Sequence, residues 1–233
     1  MRLVLDWDGT VTEVDTLHLV LLEFGDREIY DHVEDELGKT MSLNEVIAAE
    51  FETVTAPLED VVDWLLENAR IRPGFAELAR ARRPLIVSSG FHETIEPLLE
   101  REGVLDAVEL RANRVEARPD GWRVRFRADH TCATCGEPCK RRDLEQLRRL
   151  DRSFQTDARA KPARPDHGTA SGASGADLPQ NGRVVYAGDG YSDQCAALAA
   201  DRVFAGDGLA RWLSEHGVPF EPLTDFHALA SEL

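Results

Sequence analysis

Positive charge is what this chain has least of. Its 233 residues carry 27 Lys+Arg against 43 Asp+Glu, a formal net charge of −16. So negative a surface repels polyanions, which argues against sequence-independent nucleic-acid binding, and an anionic membrane surface is disfavoured for the same reason. Lysine is scarcer still: Lys39, Lys140 and Lys161 are the only three. Any chemistry that needs an ammonium group therefore has few candidates. Long apolar runs are missing too, and none approaches the ~20 residues that span a bilayer. The opening MRLVLDWDGT has an apolar stretch of only three residues before Asp6 and no small-residue cleavage site, so it does not read as a secretory signal. Four cysteines, with Cys132, Cys135 and Cys139 crowded together, do not make a disulfide framework. The expected setting is the cytoplasm, with no nucleic-acid or membrane partner, and nothing in the pattern specifies an oligomer.

The hydrophobic fraction of 42% is that of a folded globular protein. The length suits one large core, or a core with a smaller inserted domain. LVLDW reads as a buried strand feeding an acidic loop. From about Glu13 to Arg70 the texture turns helical, with Leu17, Val20, Leu21 and Phe24, then Val46, Ile47, Glu50 and Phe51, then Val61, Trp64 and Leu65 at three- and four-residue spacing. Gly25, Gly38 and Pro57 divide this stretch into three or four helices, and Ser42-Leu-Asn-Glu45 is a capping-box signature.

Strand–helix alternation resumes at Arg72-Pro73-Gly74. A helix near Phe75–Arg82 leads to the strand PLIVSS (84–89), and another helix covers Glu93–Glu102. AVEL and a hairpin around Asp120-Gly121 follow, then an amphipathic helix over Lys140–Leu150. Residues 156–182 are rich in Gly, Ala, Ser and Pro and read as a flexible insertion. RVVYAGDG (183–190) is a strand and acidic turn before a helix at Cys195–Ala200; VFAGDG (203–208) is another strand and turn, and PFEPL a short edge strand. This alternation predicts an α/β fold, a doubly wound parallel sheet with an inserted helical cap and a small β-hairpin. The expected organisation is a core of 1–12 and 72–233 and a cap of 13–71.

Ligands of such sheets bind at the carboxyl ends of strands. The first strand end carries Asp6-Trp7-Asp8-Gly9-Thr10. Two carboxylates so close repel unless a cation or proton shares the site, and a hard divalent ion would resolve that; a solvated Asp-Gly turn is the plainer alternative. The second carries Ser88-Ser89-Gly90, hydroxyls and amides suited to an anion or to a helix cap. The third carries Gly188-Asp189-Gly190-Tyr191-Ser192-Asp193, two more carboxylates that complete a metal site or simply favour a helix N-terminus.

D-x-D-G-T, then S-S-G, then a lysine, then G-D-G-x-x-D, in this order after successive strands, resembles the haloacid dehalogenase superfamily over nearly the whole chain. The resemblance implies a phosphatase in which Asp6 is the nucleophile and forms an aspartyl-phosphate. It implies Asp8 as general acid and base. Mg²⁺ would be held by the Asp6 and Asp189 carboxylates and the Asp8 backbone carbonyl, with Asp193 supporting. Ser88 and a backbone N–H of Ser89 or Gly90 would bind the phosphoryl oxygens. The motif lysine is Lys140, since Lys39 lies within the helical segment and Lys161 within the insertion.

The helical segment is similar to the cap of phosphoserine phosphatases, which closes over the site and selects the substrate. DWDGTVTEVDT, VSSGFHETIEPLL, Cys-Gly…Cys-Lys and VFAGDGLARWL resemble the phosphatases of methionine salvage that act on 2-hydroxy-3-keto-5-methylthiopentenyl-1-phosphate. Cys135-Gly-Glu-Pro-Cys139-Lys140 is one residue longer than the usual Cys-Gly-x-Cys-Lys, and Ser89 stands where many members carry Gly. The implied partner is a small phosphorylated metabolite, with phosphoserine as the alternative substrate. Asp15 is placed to contact a substrate hydroxyl or amine, or to start a helix. Cys132, Cys135 and Cys139, with His130 adjacent, are candidate Zn²⁺ ligands or metal-free loop residues; Cys195 reads as a buried packing residue. A non-catalytic protein that binds metal through these cysteines is the rival class, disfavoured by the complete acid set.

Overall fold

The apolar run after Met1 forms β1 (Arg2–Leu5), which lies at the middle of the sheet. The computed structural model describes residues 1–127, 131–149 and 182–233. Around β1 stand β2 (Leu85–Phe91), β3 (Glu109–Glu116), β4 (Arg123–Arg125), β5 (Val184–Gly188), β6 (Arg202–Ala205) and β7 (Glu221–Pro222), in the order β4-β3-β2-β1-β5-β6-β7. Among the described residues β4 alone is antiparallel, paired to β3 as a hairpin with Arg114 opposite Arg125. Chain order runs outward in both directions from β1. That reversal makes β1 and its neighbours β2 and β5 the switch point at which such sheets bind ligands.

Strand side chains alternate between two apolar layers. Leu3, Leu5, Ile86, Val185 and Ala187 face one; Val4, Leu85, Val87, Val184 and Tyr186 face the other. Burying each such aliphatic side chain is worth about 1.5–3 kcal/mol. The first layer is closed by α1 (Thr16–Phe24), α3 (Leu43–Phe51), α4 (Leu58–Asn68), α5 (Phe75–Arg82), α6 (His92–Arg101) and α10 (Phe226–Ser231). The second is closed by α7, described over 141–149, by α8 (Gln194–Ala197) and by α9 (Asp207–Glu215). Helices on both faces of a mostly parallel sheet define the doubly wound α/β fold, as the alternation of elements predicts.

The helical segment consists of α1, α2 (Arg27–Glu36), α3 and α4. Ser42 and Glu45 form the expected capping box at the start of α3. The chain enters and leaves this segment side by side. Thr12 and Ile71 pair as an antiparallel bridge, flanked by Glu13 N–H to Arg70 C=O at 2.9 Å and Arg72 N–H to Val11 C=O at 2.8 Å. The hairpin turn seats on the same helices. Trp122 stacks on Phe51 with ring centroids 6.0 Å apart and donates its indole N–H to Ala56 C=O at 2.9 Å.

Two expectations need correction, and one element carries no expectation. β2 does not end at Ser89 but continues to Phe91 through an irregularity after Val87, so Ser88-Ser89-Gly90 lies within the strand. The turn expected at 206–208 is the start of α9, whose only buried residues, Leu209 and Leu213, are too few to signal a helix. α10, capped by Asp225 accepting from Ala228 N–H at 2.7 Å, is too short to show periodicity. Of the insertion expected at 156–182, residues 156–181 lie outside the described residues, as do Lys161 and His130. No described helix is long and apolar enough to cross a membrane.

Candidate active site

The strand ends of β1, β2 and β5 converge, and the first residue past β1 is Asp6. It is 4% exposed, and its Oδ1 accepts from Trp7 N–H at 2.6 Å and lies 2.6 Å from Lys140 Nζ. Lys140, 3% exposed, reaches the site because the helix behind it is anchored. Leu144 and Leu147 bury one side of α7, while Asp143 pairs with Arg127 at 2.8 Å and Arg111 at 3.1 Å. The same ammonium lies 2.7 Å from Asp193 Oδ1.

Asp193 is fully buried and saturated. Its Oδ1 also accepts from the Tyr186 hydroxyl at 2.5 Å, and its Oδ2 accepts from the backbone N–H groups of Asp189 at 2.9 Å and Gly190 at 3.0 Å. Burial alone would raise its pKa, but the Lys140 ammonium and these donors hold it below the ordinary carboxylate value. Gly188 permits this approach, since a Cβ there would stand 2.6 Å from Asp193 Cγ. Lys140 is held firmly charged: burial opposes the ammonium, but Asp193 and Asp6 outweigh it.

Asp189 faces the opening, with Oδ1 accepting from the Thr10 hydroxyl at 2.8 Å. Oxygens of Asp6, Asp189 and Asp193 all lie within 4.8 Å of one another. Gly9 makes room for this: at φ +67° a Cβ would sit 2.2 Å from Asp189 Oδ2. Three carboxylates share one ammonium, and the imbalance shows in their titration. Burial, then the charge of Asp193, raises Asp6 well above the usual carboxylate range and Asp189 to about 7. An all-oxygen donor set that cannot stay ionised without further positive charge fits a hard divalent cation such as Mg²⁺.

Asp8, 9% exposed, is oriented differently. Its Oδ1 accepts from Thr16 N–H at 3.0 Å and from the Thr16 hydroxyl, and its Oδ2 accepts from Ser88 Oγ at 3.2 Å. Burial, then the charge of Asp15, pushes its pKa to about 7. Its carboxyl is therefore outside the three-acid cluster and poised near neutrality, where a group both gives and takes protons. Ser88 Oγ accepts from Gly90 N–H at 2.8 Å, so one of the two amides expected to face a phosphoryl group is already occupied. Ser89 lines the cavity in front of the acids, and Asn113 Nδ2 donates to its carbonyl at 2.8 Å.

That cavity, of about 220 Å³, lies between the strand ends and helices α1–α3. Its floor is Asp6, Asp8, Lys140 and Asp189; its far wall carries Asp15, Tyr30, Glu34 and Glu50. Asp15 caps α1, accepting from His18 N–H at 3.0 Å, and is exposed to the cavity. Glu50 is 4% exposed and its Oε1 has no hydrogen-bond partner; burial, then the charge of Glu34, raises its pKa to about 8. A second cavity of about 210 Å³ adjoins at Ser89, Lys140 and Tyr191 and extends to Glu137 and Trp212.

All of the acids, serines and the lysine singled out in the sequence thus meet in one place. Thr10 stands in the D-x-D-G-T motif and Glu50 in the helical spacing, but neither they nor Thr16, Tyr186 and Glu34 are marked by the sequence as site residues; Thr10, Thr16 and Tyr186 hold the acids, and Glu34 and Glu50 line the cavity. The cysteine segment falls beside the site, and Cys195, read as a packing residue, is buried but directs its Sγ to 3.8 Å from that of Cys132.

This fold and acid set define the class of protein. The profile of the haloacid dehalogenase-like hydrolases matches residues 3–198, and the chain belongs to that family. Its curated relatives are phosphatases. The 2-hydroxy-3-keto-5-methylthiopentenyl-1-phosphate phosphatase of Geobacillus thermodenitrificans is 29% identical over 98% of this chain and 93% of that protein. The protein of the same name from Exiguobacterium sibiricum is 24% identical over 100% and 96%. Among solved structures, a phospho-aspartyl intermediate analogue of phosphoserine phosphatase superposes with a TM-score of 0.64, at 15% identity over 100% of this chain and 98% of that one, a likeness of fold.

Proposed function

We propose that this phosphatase hydrolyses a small phosphorylated metabolite through an aspartyl-phosphate on Asp6, and that the metabolite is 2-hydroxy-3-keto-5-methylthiopentenyl-1-phosphate. The observation that carries the chemistry is the division of labour between two neighbouring acids. Asp6 is paired with the Lys140 ammonium at 2.6 Å, whereas Asp8 is turned onto Thr16 and Ser88 with a pKa near 7. The substrate rests on the similarity to relatives of that name over nearly the full length of both chains.

Asp6 and Asp189, with the Asp8 backbone carbonyl, would hold Mg²⁺, and Asp193 would support them. Bound there, Mg²⁺ supplies positive charge that offsets the crowded carboxylates and the phosphoryl oxygens. An Asp6 oxygen attacks phosphorus and the ester P–O bond breaks. Asp8, as the acid, passes its proton to the departing alkoxide. As the resulting carboxylate it takes a proton from water, whose oxygen attacks the same phosphorus. The Asp6–phosphorus bond then breaks, phosphate leaves and both acids return to their starting state. Lys140, Ser88 Oγ and the Ser89 N–H bind the phosphoryl oxygens throughout. Residues 13–71 serve as a cap on a core of 1–12 and 72–233, excluding water and selecting the alcohol. Four free thiols suit work in a reducing cytoplasm.

One observation favours a second reading. Asp15 and Glu34 bring carboxylates to the cavity wall, which suit an amine-bearing phosphate ester such as phosphoserine. Kinetics on a panel of phosphorylated metabolites decides between them. The first reading requires kcat/KM for the methylthio ester to exceed that for phosphoserine at least ~10-fold; the reverse order overturns it in favour of the second. In either case Asp6→Asn abolishes turnover in Mg²⁺, and activity surviving that change overturns the nucleophile.

A further inference from the structure

The segment 131–140 is held in place by almost nothing apolar. None of residues 131–139 is buried, yet Lys140, the next residue, must be fixed within 2.6 Å of Asp6. Fixing a backbone costs about 1–2 kcal/mol per residue in conformational entropy. Apolar burial within the segment cannot offset it here.

What the segment has instead is a cluster of sulfur. The Sγ atoms of Cys132, Cys135, Cys139 and Cys195 all lie within 4.8 Å of one another, and those of Cys132 and Cys195 are 3.8 Å apart. Four sulfurs bound tetrahedrally at about 2.3 Å from zinc are about 3.8 Å apart from each other. A disulfide would bring one pair to about 2.0 Å. All four thiols are free, and they form one group rather than two pairs.

The local backbone has the features of a thiolate-binding turn. Gly136 follows Cys135 at φ +78°, and its N–H donates to Cys132 C=O at 2.9 Å. Thr134 N–H donates to Cys132 Sγ at 3.4 Å. Arg141, Arg142 and Arg149 line the adjoining surface and offset the double negative charge of a tetrathiolate–zinc unit.

We propose that Cys132, Cys135, Cys139 and Cys195 form a structural tetrathiolate Zn²⁺ site that clamps the Lys140 loop to the helix following the Asp189–Asp193 turn. The four ligands close the shell, so the ion binds no substrate and stands apart from the three-carboxylate site. Its two ends explain its position. Cys139 adjoins Lys140, and Cys195 lies two residues beyond Asp193, so the clamp sets the two backbone segments whose side chains meet in the Lys140–Asp193 pair.

Metal analysis and cobalt spectroscopy test this without reference to turnover. Protein purified under reducing conditions is expected to retain one zinc per chain through gel filtration, and Asp6→Asn to retain the same amount. Protein stripped with a thiol-directed mercurial and titrated anaerobically with Co²⁺ should develop the intense visible bands and near-ultraviolet charge transfer of tetrahedral thiolate coordination. Cys195→Ser is expected to weaken and shift these bands. If that variant fails to fold, the cobalt spectrum of the wild-type chain decides alone. Absence of zinc uptake by reduced wild-type protein, a weak octahedral cobalt spectrum, or a native mass lighter by the four hydrogen atoms lost in forming two disulfides would each overturn the proposal. Because Asp6→Asn is scored for zinc and not for hydrolysis, failure here and failure of the proposed phosphatase mechanism are separate results.

Discussion

Lys140 Nζ lies 2.6 Å from Asp6 Oδ1, with both residues under 5% exposed. An ammonium buried between two carboxylates neutralises charge that neither acid could otherwise carry in a dry site. Replacing it leaves Asp6 and Asp193 uncompensated.

Lys140→Met should therefore lower kcat by about 10²–10³-fold, the usual loss when one preorganised donor at developing charge is removed. It should also cost about 3–5 kcal/mol of stability, the penalty for breaking a buried ion pair from one side. Turnover of p-nitrophenyl phosphate and urea denaturation measure the two losses. A variant with wild-type kcat would show that the ammonium does not act on the reacting phosphoryl group.

Asp8 predicts a dependence on the leaving group. With a pKa near 7, its acid form is populated below that pH and lost above it, so proton donation to an alkoxide declines as pH rises past about 7. Asp8→Asn should lower kcat about 10²–10⁴-fold for an alkyl phosphate and far less for phosphorylation of the enzyme by p-nitrophenyl phosphate, whose leaving group needs no proton. Burst kinetics with the two substrates checks this. Equal penalties in the phosphorylation step would remove Asp8 from the acid role.

Glu50 couples stability to pH. Its pKa rises from 4.5 to about 8 on folding, so the folded state holds a proton that the unfolded state releases. That contribution is complete below about 4.5, is lost as pH rises towards about 8, and changes no further beyond it. Glu50→Gln keeps the shape and removes the titration. It should be close to the wild type at pH 5 and gain up to about 5 kcal/mol at pH 9, roughly 10–20 °C in Tm for a chain of this size. Thermal unfolding across pH tests it, and parallel profiles for the two proteins would refute it.

Trp122 joins the β3–β4 hairpin to the helical segment through Phe51 and Ala56. Trp122→Ala should cost about 3–5 kcal/mol by leaving a cavity, and Trp122→Phe should cost less by retaining the ring stack. Urea denaturation of the pair separates packing from the indole N–H bond, whose net worth is about 1 kcal/mol. Similar losses in both variants would place the stabilisation in that bond.

Much of the architecture is legible in the one-dimensional pattern. Buried strands are short apolar runs ending in acid, glycine or serine, and β1 and β5 announce themselves this way, as does β2 up to the serines through which it continues. The capping box at Ser42 and the turn at Asp120-Gly121 are equally local, since their hydrogen bonds and backbone angles involve neighbours in sequence. α9 and α10 are not legible, because a helix with two buried residues draws its stability from the layer it packs on rather than from its own periodicity.

The site divides in the same way. The sequence by itself determined which acids and serines stand at the strand ends, because a parallel sheet sends successive strand ends to one edge, and it left Lys140, at the start of a helix, as the lysine to join them. Only the tertiary structure decided what each of them meets. Asp6 and Asp8 are two residues apart and identical in chemistry, yet one faces Lys140 and the other Thr16 and Ser88. Cys195 looked like a core residue until the fold brought it to three thiols more than fifty positions away. Charge, burial and ligand geometry depend on distance in space, and for residues this far apart along the chain only folding sets that distance.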